Sequence, residues 1–399
     1  MTYDVDRIRT FFPALAEGAA HFDGPGGSQT AAPVADAVAS TLRGAVANRG
    51  TVTRAEQRAE AIVVEARTAM ADLVGGVAGG VVFGRSMTAL TFDLSRALSA
   101  TWTRGDEVVV TRLDHDANIR PWVIAAERAG ATVRRVEFDP TTGELPVDSV
   151  VAALSDRTKV VAVTGASNLL GTRPDVTAIA AAAHDAGALV YVDGVHLTPH
   201  AYVDMTALGA DFFACSPYKF CGPHLGTVVA DPALLERVHP DKLLPSTDAV
   251  PERFELGTLP YELLAGVTAA VDFLAGLETD AAGSRRERTV ASMTALEEHE
   301  AALLKRLADG LAEIDRVRLI GAPSRRTPTL LFTVDGMDSR DVHVALAAHG
   351  VNAPAGNFYA IEASRHLGLG DAGAVRAGLA PYTNDDDVDR LLAALTSLA

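Results

Sequence analysis

Several short apolar runs in this sequence end in groups that could do chemistry. Gly84-Arg85-Ser86-Met87-Thr88 follows the run 81–83, Asp114-His115-Asp116-Ala117-Asn118 follows 108–111, and Ser167-Asn168 follows 160–164. Asp193-Gly194-Val195-His196 closes 189–192, and Ser216-Pro217-Tyr218-Lys219 closes 212–214. Two of these residues define the chemistry. Asp193 ends an apolar run, so its carboxylate would be poorly solvated, and such a group either finds a cation or takes up a proton. Lys219 sits among Tyr218, Phe220 and Gly222-Pro223. An amine held among apolar groups has a lowered pKa and can attack an aldehyde.

A protonated pyridine nitrogen is a suitable cation for Asp193, and an Asp opposite the pyridinium is a known arrangement of pyridoxal 5′-phosphate, PLP. The loop 84–88 leads into a helix expected to begin near Ala89. Free N–H groups and the dipole at such a helix start favour a phosphate, and Ser86 and Thr88 add hydroxyl donors. His115 would lie over the cofactor ring if the sheet holds the ring flat. Taken singly, each residue has a plainer reading: Asp193 a helix cap, Lys219 a surface lysine, 84–88 an ordinary cap, His115 a structural histidine or a metal ligand. A metal reading could draw on Asp114, Asp116, Asp193, His196 and His200. It lacks helical i, i+4 geometry at Asp193 and His196, and it leaves Lys219 unexplained.

The elements that must position these residues follow from the pattern around them. Residues 81–84, 107–111, 132–137, 159–164, 188–193, 211–216 and 227–230 read as strands, and 89–103, 121–129 and 176–186 as helices. This alternation implies βαβ units and a mostly parallel sheet covered by helices on both faces. Near-continuous apolar strands are what burial on both sides requires. Ligands of open α/β sheets sit outside the carboxyl ends of the strands, so the polar ends fall on one side. The pattern changes after about residue 262. Residues 261–277 and 285–314 read as long helices broken at 280–284; 316–320, 329–334 and 375–379 read as strands, and 341–349 and 384–398 as helices. Residues 323–328 and 350–356 read as loops.

A length of 399 residues suits two domains, and 48% hydrophobic with 22% charged residues is ordinary for a globular protein. The net charge of −16 argues against nucleic acid and against anionic membranes. Cys215 and Cys221 are the two cysteines, too few for a disulfide framework or a thiolate metal cage, which points to a reducing cytoplasmic location. Met1-Thr2-Tyr3-Asp4 opens an acidic stretch without the apolar core of a secretion signal. No segment approaches the roughly 18 uncharged apolar residues of a membrane span.

The motifs together resemble the class V aminotransferases of PLP fold type I, and within them the cysteine desulfurase-like branch. The resemblance runs from Phe22-Asp23-Gly24-Pro25-Gly26-Gly27 to Val375-Arg376-Ala377-Gly378 and Tyr382. It rests most on Asp114-His115-Asp116-Ala117-Asn118, Ser167-Asn168-Leu169-Leu170-Gly171-Thr172, Tyr191-Val192-Asp193-Gly194-Val195-His196 and Ser216-Pro217-Tyr218-Lys219-Phe220-Cys221-Gly222-Pro223. It implies an α/β fold: a large PLP-binding domain with a mostly parallel seven-stranded sheet over 16–262, and a smaller α+β domain over 263–399 joined by 1–15. It implies Lys219 as the Schiff-base lysine and proton shuttle, Asp193 as the pyridinium partner, and His115 as the stacked imidazole and a possible acid/base. His196 and Asn168 would stand near the ring hydroxyl. The phosphate would be held by the loop Ser86, Met87 and Thr88 with Ser216 and Tyr218, the last replacing a histidine of many relatives. Thr258 would reach the phosphate of a partner subunit, which implies a homodimer. Arg376 would clamp the substrate α-carboxylate, with Asn168 also on the substrate side. Residues 24–28, Phe358-Tyr359 and residues of the other subunit would line the substrate pocket.

One departure changes the expected reaction. Desulfurases of this family carry a catalytic cysteine on a small-domain loop. The corresponding stretch here, 352–360, has none, and Cys215 and Cys221 read as packing residues. The expectation is C–S β-elimination from cysteine or an S-substituted cysteine. Transamination or epimerisation of an amino acid are the alternatives, with persulfide-forming desulfuration and cofactor binding without turnover behind them.

Overall fold

The apolar runs fold as one large sheet in the computed structural model, which describes residues 3–398. Its strands are β1 (Val81–Gly84), β2 (Glu107–Thr111), β3 (Thr132–Val136), β4 (Thr158–Thr164), β5 (Leu189–Asp193), β6 (Phe212–Cys215) and β7 (Gly226–Ala230). Their spatial order is β1-β7-β6-β5-β4-β2-β3. All neighbouring pairs are parallel except those of β7, which runs antiparallel to both β1 and β6. The expected mostly parallel seven-stranded sheet is therefore present.

Alternate residues of the same strands feed two different cores, as the period of a strand requires. Val82, Val108, Val110, Tyr191, Phe212 and Val228 pack on one face, with Leu90, Leu94, Trp122 and Val123 above them. Val81, Phe83, Val109, Val161, Val190, Val192 and Phe213 pack on the other, with Met70, Ile179 and Val267. The helices concerned are α1 (Ala32–Arg43), α2 (Arg54–Val74), α3 (Met87–Ser99), α4 (Arg120–Ala129), α5 (Val176–Asp185) and α6 (Tyr261–Ala275). Here α3 and α4 cover the first face, while α2, α5 and α6 cover the second. Helix α6 lies against α1 and α2. The edge strand β3 departs from the expectation of two-sided burial: Thr132, Arg134 and Arg135 are exposed, because among the described residues no strand pairs beyond it.

The remaining chain builds a four-stranded antiparallel sheet from β8 (Val317–Ile320), β9 (Thr329–Val334), β10 (Ala355–Gly356) and β11 (Ala374–Gly378), in the order β10-β11-β9-β8. Its core takes Leu303, Leu307 and Leu311 from α7 (Arg285–Ala312), Val342 and Leu346 from α8 (Ser339–Ala348), and Val388, Leu391 and Leu395 from α9 (Asp385–Leu398). A short parallel pairing of Ala20-His21 with Val351-Asn352 ties the N-terminal segment to this unit. Among the described residues no helix is long and apolar enough to cross a membrane.

Candidate active site

The ends of β1, β2, β4, β5 and β6 open into a cavity of about 660 Å³, within the ~300–1,000 Å³ typical of small-molecule sites. Met87, Thr88, His115, Asn168, Asp193, His196, Ser216, Tyr218, Lys219 and Arg376 all line it. Two candidates from the sequence lie elsewhere. Ser86 caps α3, its Oγ accepting from the Ala89 N–H at 3.1 Å, so the helix starts at Met87 and not near Ala89. Thr258 lines an adjacent cavity of about 760 Å³ with Arg85, His224 and Leu256. Phe92 borders both cavities.

Backbone packing brings the helix start to the sheet. A Cβ on Gly226, the first residue of β7, would sit 2.2 Å from the Met87 nitrogen and 2.0 Å from the Ser86 carbonyl carbon. Only glycine lets this strand run beneath the N-terminus of α3. Met87 and Thr88 of that turn line the cavity.

Asp193 is 5% exposed. One oxygen accepts from the Val195 N–H at 2.9 Å, and among the described residues no cation pairs with it. Burial pushes its pKa up to about 6, opposed by the Val195 N–H and by the charge of Lys219. A cationic N–H in the cavity would restore the carboxylate. Lys219 donates to the carbonyl of Pro25, and its Nζ lies 5.0 Å from the centroid of the Tyr218 ring. Burial pushes the amine down to about 7; Arg376 lowers it further and Asp193 raises it. A lowered amine of this kind is partly unprotonated at neutral pH and can attack a carbonyl.

His115 is held as a neutral imidazole. Burial, then the charges of Lys219 and Arg376, push its pKa down to about 4. Its Nδ1 accepts from the Ala117 N–H at 3.0 Å, and its ring stacks on Tyr359 with centroids 5.5 Å apart. Behind it Asp114 is fully buried, bonded to Thr111 and, at 2.7 Å, to Asn118. His196 bonds Thr329 through Nε2 at 3.0 Å while its Nδ1 is buried without a partner. Burial holds its pKa well below the usual imidazole range, with His200, Arg376 and Lys219 adding to the effect.

Arg376 comes from β11 of the second sheet and is 2% exposed. Its Nη1 donates to the Asn168 carbonyl at 2.8 Å, and its Nε is unpartnered. Asn168 in turn donates through Nδ2 to the Phe358 carbonyl at 2.9 Å, leaving Oδ1 buried and free. Phe358 and Tyr359 both adopt left-handed backbone, φ 53° and 59°. Consecutive aromatic residues in that region store strain of order 1–3 kcal/mol each, a cost met mostly at functional sites.

The donor set fits pyridoxal 5′-phosphate: an unpaired buried carboxylate for a pyridinium, a partly neutral lysine for an aldehyde, a neutral imidazole, and a helix N-terminus with Thr88, Ser216 and Tyr218 for a phosphate. Sequence reasoning missed Arg120, Phe92, Thr164 and Val195 among the lining residues. The spacing of Asp116 and Arg120, one helical turn apart, was an available signal. Neither cysteine lines the cavity; both are buried.

Comparison with known proteins shows the family and the fold. The sequence model for "Aminotransferase class-V" matches residues 20–391. An uncharacterized protein of Mycobacterium tuberculosis is 37% identical over 400 residues, covering 100% of both chains. A probable cysteine desulfurase of Mycobacterium leprae is 33% identical over 419 residues, covering 98% of this chain and 95% of that one. A solved cysteine desulfurase of Escherichia coli, 26% identical, superposes with a TM-score of 0.87 over 100% of this chain and 98% of that one.

Proposed function

The chain belongs to the class-V aminotransferase family, and from that premise we propose that it breaks the C–S bond of cysteine or an S-substituted cysteine by β-elimination. The cofactor is pyridoxal 5′-phosphate. When bound, it supplies an electron sink for the charge left when an α-proton departs.

In this reading Lys219 would hold the cofactor covalently, and its Nζ, once displaced by the amine of the amino acid, would take the α-proton. Arg376 binds the α-carboxylate and Asn168 helps to orient it. Asp193 would pair with the pyridinium and His115 would stack on the ring, while His196 and Asn168, with their unpartnered Nδ1 and Oδ1, would take the ring hydroxyl. Thr88, Ser216, Tyr218 and the N–H groups at Met87 take the phosphate, with Ser86 fixing the turn. As the Cβ–S bond breaks, its electron pair leaves with sulfur, and the released aminoacrylate takes up water to give pyruvate and ammonia.

The observation that carries elimination over persulfide transfer is the position of the two thiols. Relatives named as cysteine desulfurases bring cysteine into consideration as substrate. Here residues 352–360 contain no cysteine. Cys215 and Cys221 are fully buried, and burial pushes Cys221 up to about 12 and Cys215 higher still. Neither offers a thiolate to a substrate sulfur.

A homodimer is part of the same reading. Thr258 stands apart from the first cavity, beside Leu256, which is 62% exposed, and a second copy placed there would receive Thr258 at its phosphate. The unpaired cysteines suit a cytoplasmic location.

The test is incubation of the holoenzyme with S-substituted cysteines, serine and alanine, with assay of pyruvate, thiol and keto acid. Pyruvate and thiol in equal amounts are expected from S-substituted cysteines. Amino-group exchange with a keto acid, without pyruvate from any β-substituted substrate, would replace elimination with transamination.

A further inference from the structure

The cavity holds a pair of opposite charges that the assignments above leave without a task. Asp116 and Arg120 both line it, beside His115. Arg120 Nη2 lies 3.2 Å from Oδ1 of Asp116 and Nε lies 3.5 Å from Oδ2. Among the described residues neither side chain has another hydrogen-bond or ion-pair partner. They are 28% and 41% exposed, so they sit where the cavity meets solvent. An exposed pair one turn apart is held only weakly, so opening it for a ligand costs little.

Both residues are nevertheless fixed in place. The Asp116 N–H donates to the Tyr359 carbonyl at 2.8 Å, which ties it to the loop from the second sheet. Arg120 is the first residue of α4, followed by Pro121. The cavity therefore presents two guanidinium groups. Arg376 is buried, and Arg120 is at the mouth with a carboxylate beside it. Met87, Phe92 and Ala117 line the same cavity with apolar surface.

We propose that Asp116 and Arg120 recognise a second amino-acid head group at the far end of the substrate. The distal carboxylate takes the guanidinium fork of Arg120, and the distal ammonium takes the Asp116 carboxylate. A substituent with only a carboxylate would meet Asp116 as a like charge, and one with only an ammonium would meet Arg120. A zwitterionic head group satisfies both. The inference rests on the β-elimination reading and names its substrate class: two amino acids joined through sulfur, as in a thioether or disulfide of cysteine.

Four substrates separate the contributions: lanthionine, S-carboxyethylcysteine, S-aminoethylcysteine and S-methylcysteine. For the wild-type holoenzyme, kcat/KM of pyruvate formation is expected to favour lanthionine by about tenfold or more over the other three. In Arg120→Met and in Asp116→Asn the ratio of lanthionine to S-methylcysteine should fall to within about threefold. Equal efficiency for all four substrates in the wild type overturns the proposal while leaving elimination intact. A ratio unchanged in both variants overturns it too. Dissociation constants, read from the change in cofactor absorbance on adding each amino acid, separate the two readings. If no substrate yields pyruvate but lanthionine still binds about tenfold more tightly and loses that advantage in Arg120→Met, the pair keeps its role and elimination falls.

Discussion

The guanidinium carbon of Arg376 lies 3.7 Å from the centroid of the Phe358 ring. The arginine comes from β11 and the phenylalanine from the loop after β10. Burial pushes the arginine down to about 9, opposed by Asp23, which still leaves it cationic at neutral pH. No carboxylate pairs with it among the described residues, so the amino-acid carboxylate is its partner in the proposed reaction. Arg376→Met should lower kcat/KM for amino acids by at least ~100-fold, the scale of about 3 kcal/mol for a charged bidentate contact. Phe358→Ala removes a cation–π contact of roughly 0.5–2 kcal/mol and should cost about 2- to 30-fold. Steady-state kinetics with an amino acid and with its decarboxylated amine check both. An equal loss on the amine, which lacks the carboxylate, would sink the assignment.

The lowered pKa of Lys219 has a direct kinetic consequence. With the amine titrating near 7, capture of pyridoxal 5′-phosphate by the apoenzyme should speed up about tenfold per pH unit below 7 and level off above it. An ordinary lysine would keep accelerating toward about 10.4. Stopped-flow absorbance of the lysine-bound cofactor from pH 5.5 to 10 makes the measurement, and Lys219→Ala should give no covalent phase. A rate still climbing between pH 8 and 10 would show that the amine is not depressed.

The strand ends are legible because each couples a near-continuous apolar run to an abrupt polar stop, as at Val192-Asp193 and Ala214-Cys215-Ser216. The alternation of such runs with helical stretches also specifies the large sheet and several of the helices around it. Helices α1 and α2 were not foreseen, although Thr53 and Glu56 form a capping box at the start of α2. In the sequence alone a hydroxyl in the loop 84–88 looks the same whether it caps a helix, as Ser86 does, or binds a ligand. The i, i+4 spacing of Asp116 and Arg120 signals an ion pair, but it takes the tertiary placement of α4 to show that the pair borders a cavity. The long-range partners, such as Asn168 with Phe358, depend on how the second sheet meets the first, which no local pattern encodes.

The cysteines supply a test of what the enzyme does not need. Cys215 and Cys221 are buried and strongly disfavoured as thiolates. Native holoenzyme should resist iodoacetamide over hours at pH 7.5, read by intact mass. A Cys215→Ala, Cys221→Ala protein should keep its elimination rate within about threefold and lose only ~1–2 kcal/mol of stability from the small cavities left behind. Loss of turnover with an unchanged fold, judged by circular dichroism, would restore a thiol to the mechanism.

Glu107 opens β2, the strand that delivers His115, and anchors it to both neighbours. It accepts from Arg134 at 2.7 Å, from Arg157 at 3.0 Å and from Ser155 at 2.8 Å. The Arg134 hydrogen bond leads, and Ser155 and Arg157 add to it against the opposing effect of burial, so the carboxyl falls from 4.5 to about 2. A depressed carboxyl stabilises the fold above its unfolded pKa, and that contribution drains away as pH falls from about 4.5 toward 2. The full shift corresponds to about 3 kcal/mol, but Arg134 and Arg157 are half exposed, and solvent screening trims it to ~1–2 kcal/mol. Urea denaturation at pH 7 and pH 3, a span over which a little more than half of that contribution drains away, should therefore show wild type losing ~1 kcal/mol more than Glu107→Gln, whose amide cannot titrate. Identical losses in the two proteins would mean that the arginines do not hold this carboxylate, and that β2 owes its place to the apolar residues Val108–Val110 alone.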